Sequence, residues 1–265
     1  MSVPLYQVDA FAATPFAGNP AGVCLLAAAA DSKWMAAVAK ETNLPATAFV
    51  HADGGRFSLR WFTASTELEL CGHGTLASAH VLYEAGHVER RQPIHFQSRG
   101  GLLTATARDG WIELDFPAMP ERRVAPPAGL AEALGVELRY VGRGKLDCLV
   151  ELADEATVRD LRPDLTRLRT VDARGIIVTS RSDNADRDFV SRFFAPSVGI
   201  AEDPVTGSAH CCLAPYWAAQ LNKSELVAHQ ISARGGMLRL RLDGDRVCIA
   251  GQAVTVIRGE LLGLC

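Results

Sequence analysis

Carboxylate side chains next to glycine-containing segments are the residues of this sequence best suited to chemistry. Glu41 follows a stretch with helical spacing, and Glu202 and Asp203 lead into the segment PVTGS. A carboxylate beside a bound anion in a dry cleft can act as a general base and remove a proton from carbon. The alternative for each residue is a solvated surface acid, which is the common state of a single glutamate.

Two glycine-containing turns stand where we expect helices to begin. The first is CGHGT at residues 71–75, with Thr75 as the expected capping residue, and the second is TGS at residues 206–208. Unpaired N–H groups at a helix start and the positive end of the helix dipole favour a carboxylate or a phosphate. The alternative is that the glycines only permit tight turns and that the Ser and Thr hydroxyls only cap helices.

These turns belong to an internal repeat. Aromatic pairs end the strand before each turn, at residues 61–62 and 193–194, and Gly207-Ser208 matches Gly74-Thr75 if one residue is inserted. The two copies then lie roughly 132 residues apart. Two such turns that face each other would form an anion-binding cleft, so the repetition favours function over the structural alternative.

Several other chemistries lack support in the sequence. His73, His80 and His87 are spaced by seven residues, which on a helix is about 10 Å and too far to share one metal ion. The nucleotide-binding, nucleophile-elbow and zinc-protease motifs (G-x-G-x-x-G, the P-loop, G-x-S-x-G and H-E-x-x-H) do not occur. We therefore expect neither a metal nor a cofactor.

Composition limits the class of protein. A length of 265 residues suggests just under two domains. A hydrophobic content of 48% is enough for each domain to have its own core. A net charge of −3 with scattered basic residues argues against a nucleic-acid partner. Seven cysteines without C-x-x-C spacing suggest reduced thiols in the cytoplasm, and the longest apolar run, Val23 to Ala30, is too short for a membrane span.

The chain order predicts two domains. Short strands surround a buried helix at residues 73–85 in the first half, and an earlier helix, capped by Asp31 or Ser32, ends near Asn43. Four prolines at residues 117–129 mark the boundary. We place the domains at residues 1–118 and 119–265, with the last strand free to return to the first domain, and expect Pro215 to kink a second central helix.

Four segments make the chain recognisable in order along nearly its full length: VDAFAATPFAGNPAGV, ETNLPATAFV, RWFTASTELELCGHGTLASAHVL and EDPVTGSAH. They resemble the phenazine-biosynthesis PhzF-like isomerases. The resemblance implies an α+β, diaminopimelate epimerase-like fold, in which two pseudo-symmetric domains each wrap a β-barrel-like mixed sheet around a central helix. It also implies an active site in the cleft between them.

The same resemblance implies roles for individual residues. Glu41 corresponds to the family's acid/base, with His73 and Asp203 as its partners. The positions implied to contact substrate are Asn19, Gly72, Gly74, Thr75, Gly207 and Ser208. The best-known member moves a proton within a cyclic dihydro-hydroxy-anthranilate without a cofactor, so the resemblance predicts a small carboxylate-bearing substrate and, as in many relatives, a homodimer.

Epimerases of this fold use two thiols, one at the start of each central helix. Cys71 holds the first position, whereas the matching place in the second copy holds Asp203-Pro204, and Cys211 and Cys212 lie about one turn further on. A single carboxylate is therefore favoured over two thiols, and a shielded base should return part of the hydrogen it removes. A non-catalytic small-anion or protein-binding member is the second hypothesis, and an amino-acid racemase or epimerase is the third.

Overall fold

The computed structural model describes residues 2–262, and the chain divides into two compact units. The first unit holds the residues up to Asp115 and from Ala250 onward, and the second runs from Phe116 to Ile249. The boundary predicted after residue 118 lies three residues beyond Asp115, where the first segment of the first unit ends. Where independently folding domains end stays a prediction. None of the helices within residues 2–262 is both long and apolar enough to span a bilayer.

The first unit is a mixed sheet with two helices. Its strands are β1 (Val3–Ala10), β2 (Asn19–Leu25), β3 (Ala46–Asp53), β4 (Arg56–Phe62), β5 (Glu67–Leu68), β6 (Ile94–Ser98), β7 (Gly101–Arg108), β8 (Trp111–Pro117, which ends in the second unit) and the last strand, β18 (Ala253–Leu261). Its helices are α1 (Ser32–Thr42) and α2 (Gly72–Glu84). The last strand pairs antiparallel with β1 along its whole length, while β2 and β3, and β4 and β6, are parallel neighbours.

Helix α2 forms the centre of this unit, because eleven of its thirteen residues are buried. Small and apolar side chains such as Ala77, Ala79 and Leu82 surround the helix on all sides, which is typical of a helix enclosed by a sheet. Helix α1 instead lies on the outside and buries Met35, Val38 and Ala39. The amphipathic helix thus covers the sheet, and the uniformly apolar helix fills it.

The second unit repeats the plan with additional short helices. Its strands are β9 (Arg122–Arg123), β10 (Tyr140–Arg143), β11 (Cys148–Glu151), β12 (Ile176–Arg181), β13 (Phe189–Ala195), β14 (Ile200–Asp203), β15 (Glu225–Gln230), β16 (Gly236–Asp243) and β17 (Arg246–Gly251). Its helices are α3 (Leu130–Leu134), α4 (Glu155–Asp160), α5 (Leu165–Leu168), α6 (Gly207–Leu221) and a 3₁₀ turn, η1 (Pro196–Val198). Helix α6 is central, with ten of its fifteen residues buried.

Strand order shows the repeat within each unit. Each unit has a parallel strand pair connected through outer helices, β2 and β3 in the first unit and β11 and β12 in the second. An antiparallel return strand follows, β4 or β13, and after it come a strand of two to four residues and the central helix. The next strand then pairs parallel with the return strand, β6 on β4 and β15 on β13. The predicted α+β fold with two pseudo-symmetric halves is confirmed. Pro215 lies inside α6, which continues on both sides of it, and the kink stays a prediction.

Candidate functional site

Both central helices begin without a side-chain cap. Cys71 precedes α2 and Thr206 precedes α6, each with an extended backbone and with no hydrogen bond from its side chain to the helix start. The first N–H groups of an α-helix have no intrahelical acceptor, and the helix dipole adds partial positive charge there. Each helix start can therefore donate hydrogen bonds to an anionic group.

The structure corrects the alignment of the two turns. Gly72 and Gly207 are the first residues of their helices, 135 positions apart. The fourth residue of each helix bonds back to the capping carbonyl: Thr75 Oγ1 donates to Cys71 O at 2.7 Å, and His210 Nδ1 lies 2.8 Å from Thr206 O. The predicted match of Gly74-Thr75 with Gly207-Ser208 is two residues out of register, so Ser208 corresponds to His73 and Thr206 to Cys71.

An extra turn between β13 and β14 explains the error. In the first unit Arg60 forms an ion pair with Glu67, with Nε 2.7 Å from Oε1, and in the second unit Arg192 pairs with Glu202 at the same distance. Seven positions separate Arg60 from Glu67, and ten positions separate Arg192 from Glu202. The second unit therefore has three additional residues in this segment, which contains η1, Pro196–Val198. The sequence had predicted a single insertion. The ion pair also gives Glu202 a structural role.

The predicted role of Thr75 as the capping residue of α2 is wrong. The helix begins three residues before it, and its fully buried hydroxyl is bonded to the Cys71 carbonyl. Gly74 is also buried inside the first turn, where a Cβ would lie 2.7 Å from the Trp61 ring. At Gly74 the absence of a side chain is therefore explained by packing, whereas Gly72 opens the helix.

His73 is the second residue of α2 and is only 9% exposed. Its ring nitrogens lie 3.6 and 3.8 Å from the Cys71 sulfur, a contact weaker than an ordinary hydrogen bond. Burial lowers the pKa of His73 to about 4. The imidazole is therefore neutral at pH 7, with one nitrogen able to donate and the other to accept.

Glu41 is exposed in the last turn of α1. The helix ends one residue later, at Thr42, and Asn43 follows in the left-handed conformation. The dry environment expected for a general base is not found around Glu41 in this structure. Its catalytic role stays a prediction from the family resemblance.

Asp203, in contrast, is 8% exposed and lies in a hydrogen-bond network at the end of β14. Its Oδ2 accepts from Thr206 Oγ1 at 2.5 Å, and its carbonyl accepts from Gln230 Nε2 at 2.7 Å. The same Gln230 accepts the Thr206 N–H at 2.9 Å. This network fixes the turn before α6 and occupies the Thr206 side chain, which leaves the helix start uncapped.

Sequence reasoning missed a charged pair beside Ser208. Arg174 Nη2 donates to Ser208 Oγ at 3.3 Å, and the same guanidinium forms two hydrogen bonds to Asp147, at 2.8 and 2.6 Å. Asp147 is 4% exposed. No motif marks Arg174 among the 27 Lys and Arg residues, because its proximity to Ser208 arises only from folding.

The remaining predicted residues are distributed over both units. Asn19 is buried as the first residue of β2, and Gly207 is buried as the first residue of α6. Among residues 2–262, no three His, Cys, Asp or Glu side chains are arranged to hold a metal ion. That a single active site contains Glu41, His73 and Asp203 stays a prediction.

Thiol chemistry at the second helix start is unfavourable. Thr206, and not the predicted Asp203-Pro204, occupies the place that matches Cys71. Burial raises the pKa of both Cys211 and Cys212 to about 12, so both remain neutral thiols at pH 7 and are poor bases.

Comparison with known proteins first identifies the fold. A hydroxyproline epimerase from Agrobacterium vitis, crystallised with trans-4-hydroxy-L-proline, superposes with a TM-score of 0.66 at 11% identity, over 98% of this chain and 92% of its own. At that identity the likeness concerns the fold alone. The family is narrower: a family model described as phenazine biosynthesis-like protein matches residues 8–259, and the chain belongs to this PhzC-PhzF family.

Two relatives are more similar. An uncharacterized isomerase of Halalkalibacterium halodurans is 52% identical over 99% of both chains. The crystal structure of a PhzF-family protein from Enterococcus faecalis is 42% identical, with a TM-score of 0.94 over 98% of this chain and 99% of the other. The predicted family is confirmed, and it supports an isomerase or epimerase of the PhzF type with a small-molecule substrate. The homodimer and the cytoplasmic location stay predictions.

Proposed function

We propose that this protein is a cofactor-independent isomerase that moves a proton within a small, cyclic, unsaturated carboxylate. The observation that carries the proposal is the pair of uncapped helix starts, at Cys71 before α2 and at Thr206 before α6. The same feature occurs in both units, which argues against a chance arrangement of a single turn. The N–H groups of these turns are suited to hold a substrate carboxylate.

Glu41 serves as the base in this proposal. Its carboxylate accepts a proton from a ring carbon, the electron pair of the C–H bond moves into the adjacent π-system, and the Glu41 carboxylic acid then protonates another carbon of that system. The double bond has moved, and no electrons are gained or lost overall. Neutral His73 can donate a hydrogen bond to the substrate, and Asp203 orients it from a turn fixed by Thr206 and Gln230.

A non-catalytic anion-binding protein is the second candidate, and the exposure of Glu41 favours it. An exposed carboxylate lacks the partial dehydration that makes a strong general base. Such a protein would bind small carboxylates at the helix starts without changing them. The amino-acid racemase, the third hypothesis, is disfavoured by Thr206 at the position that matches Cys71.

The test compares Glu41→Gln with Glu132→Gln, a control in which another exposed helical glutamate is changed. Proton NMR in deuterated water follows exchange and isomerisation of cyclohexa-2,5-diene-1-carboxylate and related dienoic acids. We expect the wild type and Glu132→Gln to be active, and Glu41→Gln to lose roughly two to four orders of magnitude in rate, the usual contribution of a general base. Near-normal turnover by Glu41→Gln contradicts the proposal, and binding without exchange by the wild type supports the second candidate.

A further inference from the structure

Arg174 is held in one orientation beside the start of α6. Nε and Nη2 donate to the two oxygens of Asp147, Nη2 also donates to Ser208 Oγ, and the guanidinium lies 5.8 Å from the centre of the Phe193 ring. Two parallel bonds to a carboxylate fix a guanidinium more strongly than a single contact. The charge is therefore positioned before any ligand arrives.

The guanidinium retains donors for a ligand. Arginine has five N–H groups, of which the contacts with Asp147 and Ser208 use three. Within the described part of the chain, the two N–H groups of Nη1 have no acceptor, and 39% of the side chain is exposed. Since Asp147 is almost fully buried, it is the exposed guanidinium, and not the carboxylate, that a solute can reach.

The parallel strand pair of the second unit brings Asp147 and Arg174 to one edge of its sheet. In the first unit, the parallel pair is β2 and β3, which start at Asn19 and Ala46. In the second unit, Asp147 immediately precedes β11 and Arg174 lies two residues before β12, at the edge where that parallel pair starts. Arg174 and Asp147 meet because both lie just before strands of that parallel pair. By strand register Arg174 corresponds to Pro45 of the first unit, and not to Glu41.

We propose that Arg174 is a specificity-determining residue that binds the carboxylate of the substrate, with Ser208 beside it and with Asp147 as the positioning residue. The Glu41 carboxylate of the first unit suits proton transfer. The Arg174 guanidinium of the second unit suits recognition of negative charge. The assignment rests on the proposed function only for the anionic nature of the ligand.

The experiment measures dissociation constants by calorimetry for benzoate and for its neutral analogue benzamide. The variants are Arg174→Gln, Arg174→Lys and the control Arg167→Gln, which removes an exposed guanidinium paired with Asp164. Since Arg174→Gln leaves the buried Asp147 carboxylate unpaired, the double variant Asp147→Asn/Arg174→Gln removes both charges together. Urea unfolding establishes that each variant is folded.

We expect the wild type to prefer benzoate to benzamide. Arg174→Gln and the double variant should bind benzoate roughly ten- to a hundredfold more weakly, the value of a charged hydrogen bond. Arg174→Lys should lie between, and Arg167→Gln should match the wild type. Wild-type affinity for benzoate in the double variant, or no preference for benzoate over benzamide in the wild type, overturns the inference.

The catalytic proposal and the role of Arg174 are tested by different measurements, proton exchange for the first and benzoate binding for the second. If Glu41→Gln retains full proton exchange while Arg174→Gln loses benzoate binding, Glu41 is not the base and Arg174 remains the carboxylate-binding residue. If Glu41→Gln loses exchange while Arg174→Gln binds benzoate normally, the isomerase stands and the role of Arg174 is wrong.

Discussion

Gly74 lies in the first turn of α2 with its backbone against the Trp61 indole. A Cβ added to it would lie 2.7 Å from Trp61 Cδ1, closer than such atoms approach in proteins, and 3.0 Å from Cys71 Sγ, which is a tight contact. Trp61 is fully buried and cannot turn away without opening the core. Packing against Trp61 is sufficient to explain a glycine at this position. The substrate contact that the family resemblance implies for Gly74 stays a prediction.

Gly74→Ala should therefore destabilise the fold by about 1–3 kcal/mol, the usual cost of overpacking a core. Gly259→Ala is the matched control, since a Cβ there meets no atom within 4 Å. Urea unfolding followed by circular dichroism measures the difference between the two variants. Equal stability of the two would show that the helix start shifts to accept the methyl group.

Residue types predicted the turns before α2 and α6 but not the surroundings of those turns. Asp203 and Glu202 are adjacent acids in the sequence, yet Glu202 is paired with Arg192 and Asp203 with Thr206. Adjacent residues of a strand point to opposite faces, so their partners depend on what each face meets. The sequence alone does not specify those partners.

Three segments meet at the turn before α6: the end of β14, the helix start and the end of β15. Gln230, fully buried on β15, accepts the Thr206 N–H and donates to the Asp203 carbonyl. One side chain thus satisfies a backbone donor and a backbone acceptor that water does not reach. The Gln230 amide and the Asp203–Thr206 hydrogen bond together hold this turn.

Gln230→Ala should leave both backbone groups without a partner. We expect a loss of about 2–4 kcal/mol in the free energy of unfolding, since each unsatisfied buried group costs about 1–3 kcal/mol. Gln97→Ala is the control, because that amide is exposed and bonds only a neighbouring carbonyl. Urea titration of both variants is the measurement, and a loss in Gln230→Ala no larger than in Gln97→Ala would argue that water replaces the amide.

Elements with strong patterns were predicted well, and insertions between them were not. The uniformly apolar helices, α2 and α6, and the capping Asp31 of α1 were visible as sequence patterns. The η1 turn, Pro196–Val198, has no such pattern, so its three residues shifted the alignment of the second turn. Helix starts depend on local capping contacts, which the spacing of apolar residues does not specify.

At the scale of the whole chain, the repeat and the four ordered motifs were enough to predict the family and the fold. The contact between Arg174 and Asp147 was not predictable, because 27 positions separate the two residues and only the parallel pairing of β11 with β12 brings them together. Likewise, the exposure of Glu41 depends on how α1 lies on its sheet. Ordered motifs identify a fold, whereas the environment of each side chain follows from its packing.

The origin of the transferred hydrogen tests that environment. A carboxylic acid in contact with water exchanges its proton far faster than a typical turnover, and Glu41 is exposed. We therefore expect the product of cyclohexa-2,5-diene-1-carboxylate formed in deuterated water to carry close to one full deuterium at the receiving carbon, instead of the partial retention that a shielded base would give. Mass spectrometry and NMR of the product from single turnovers measure this content. Transfer of most of the original hydrogen would contradict the expectation and would mean that bound substrate covers Glu41 during the reaction.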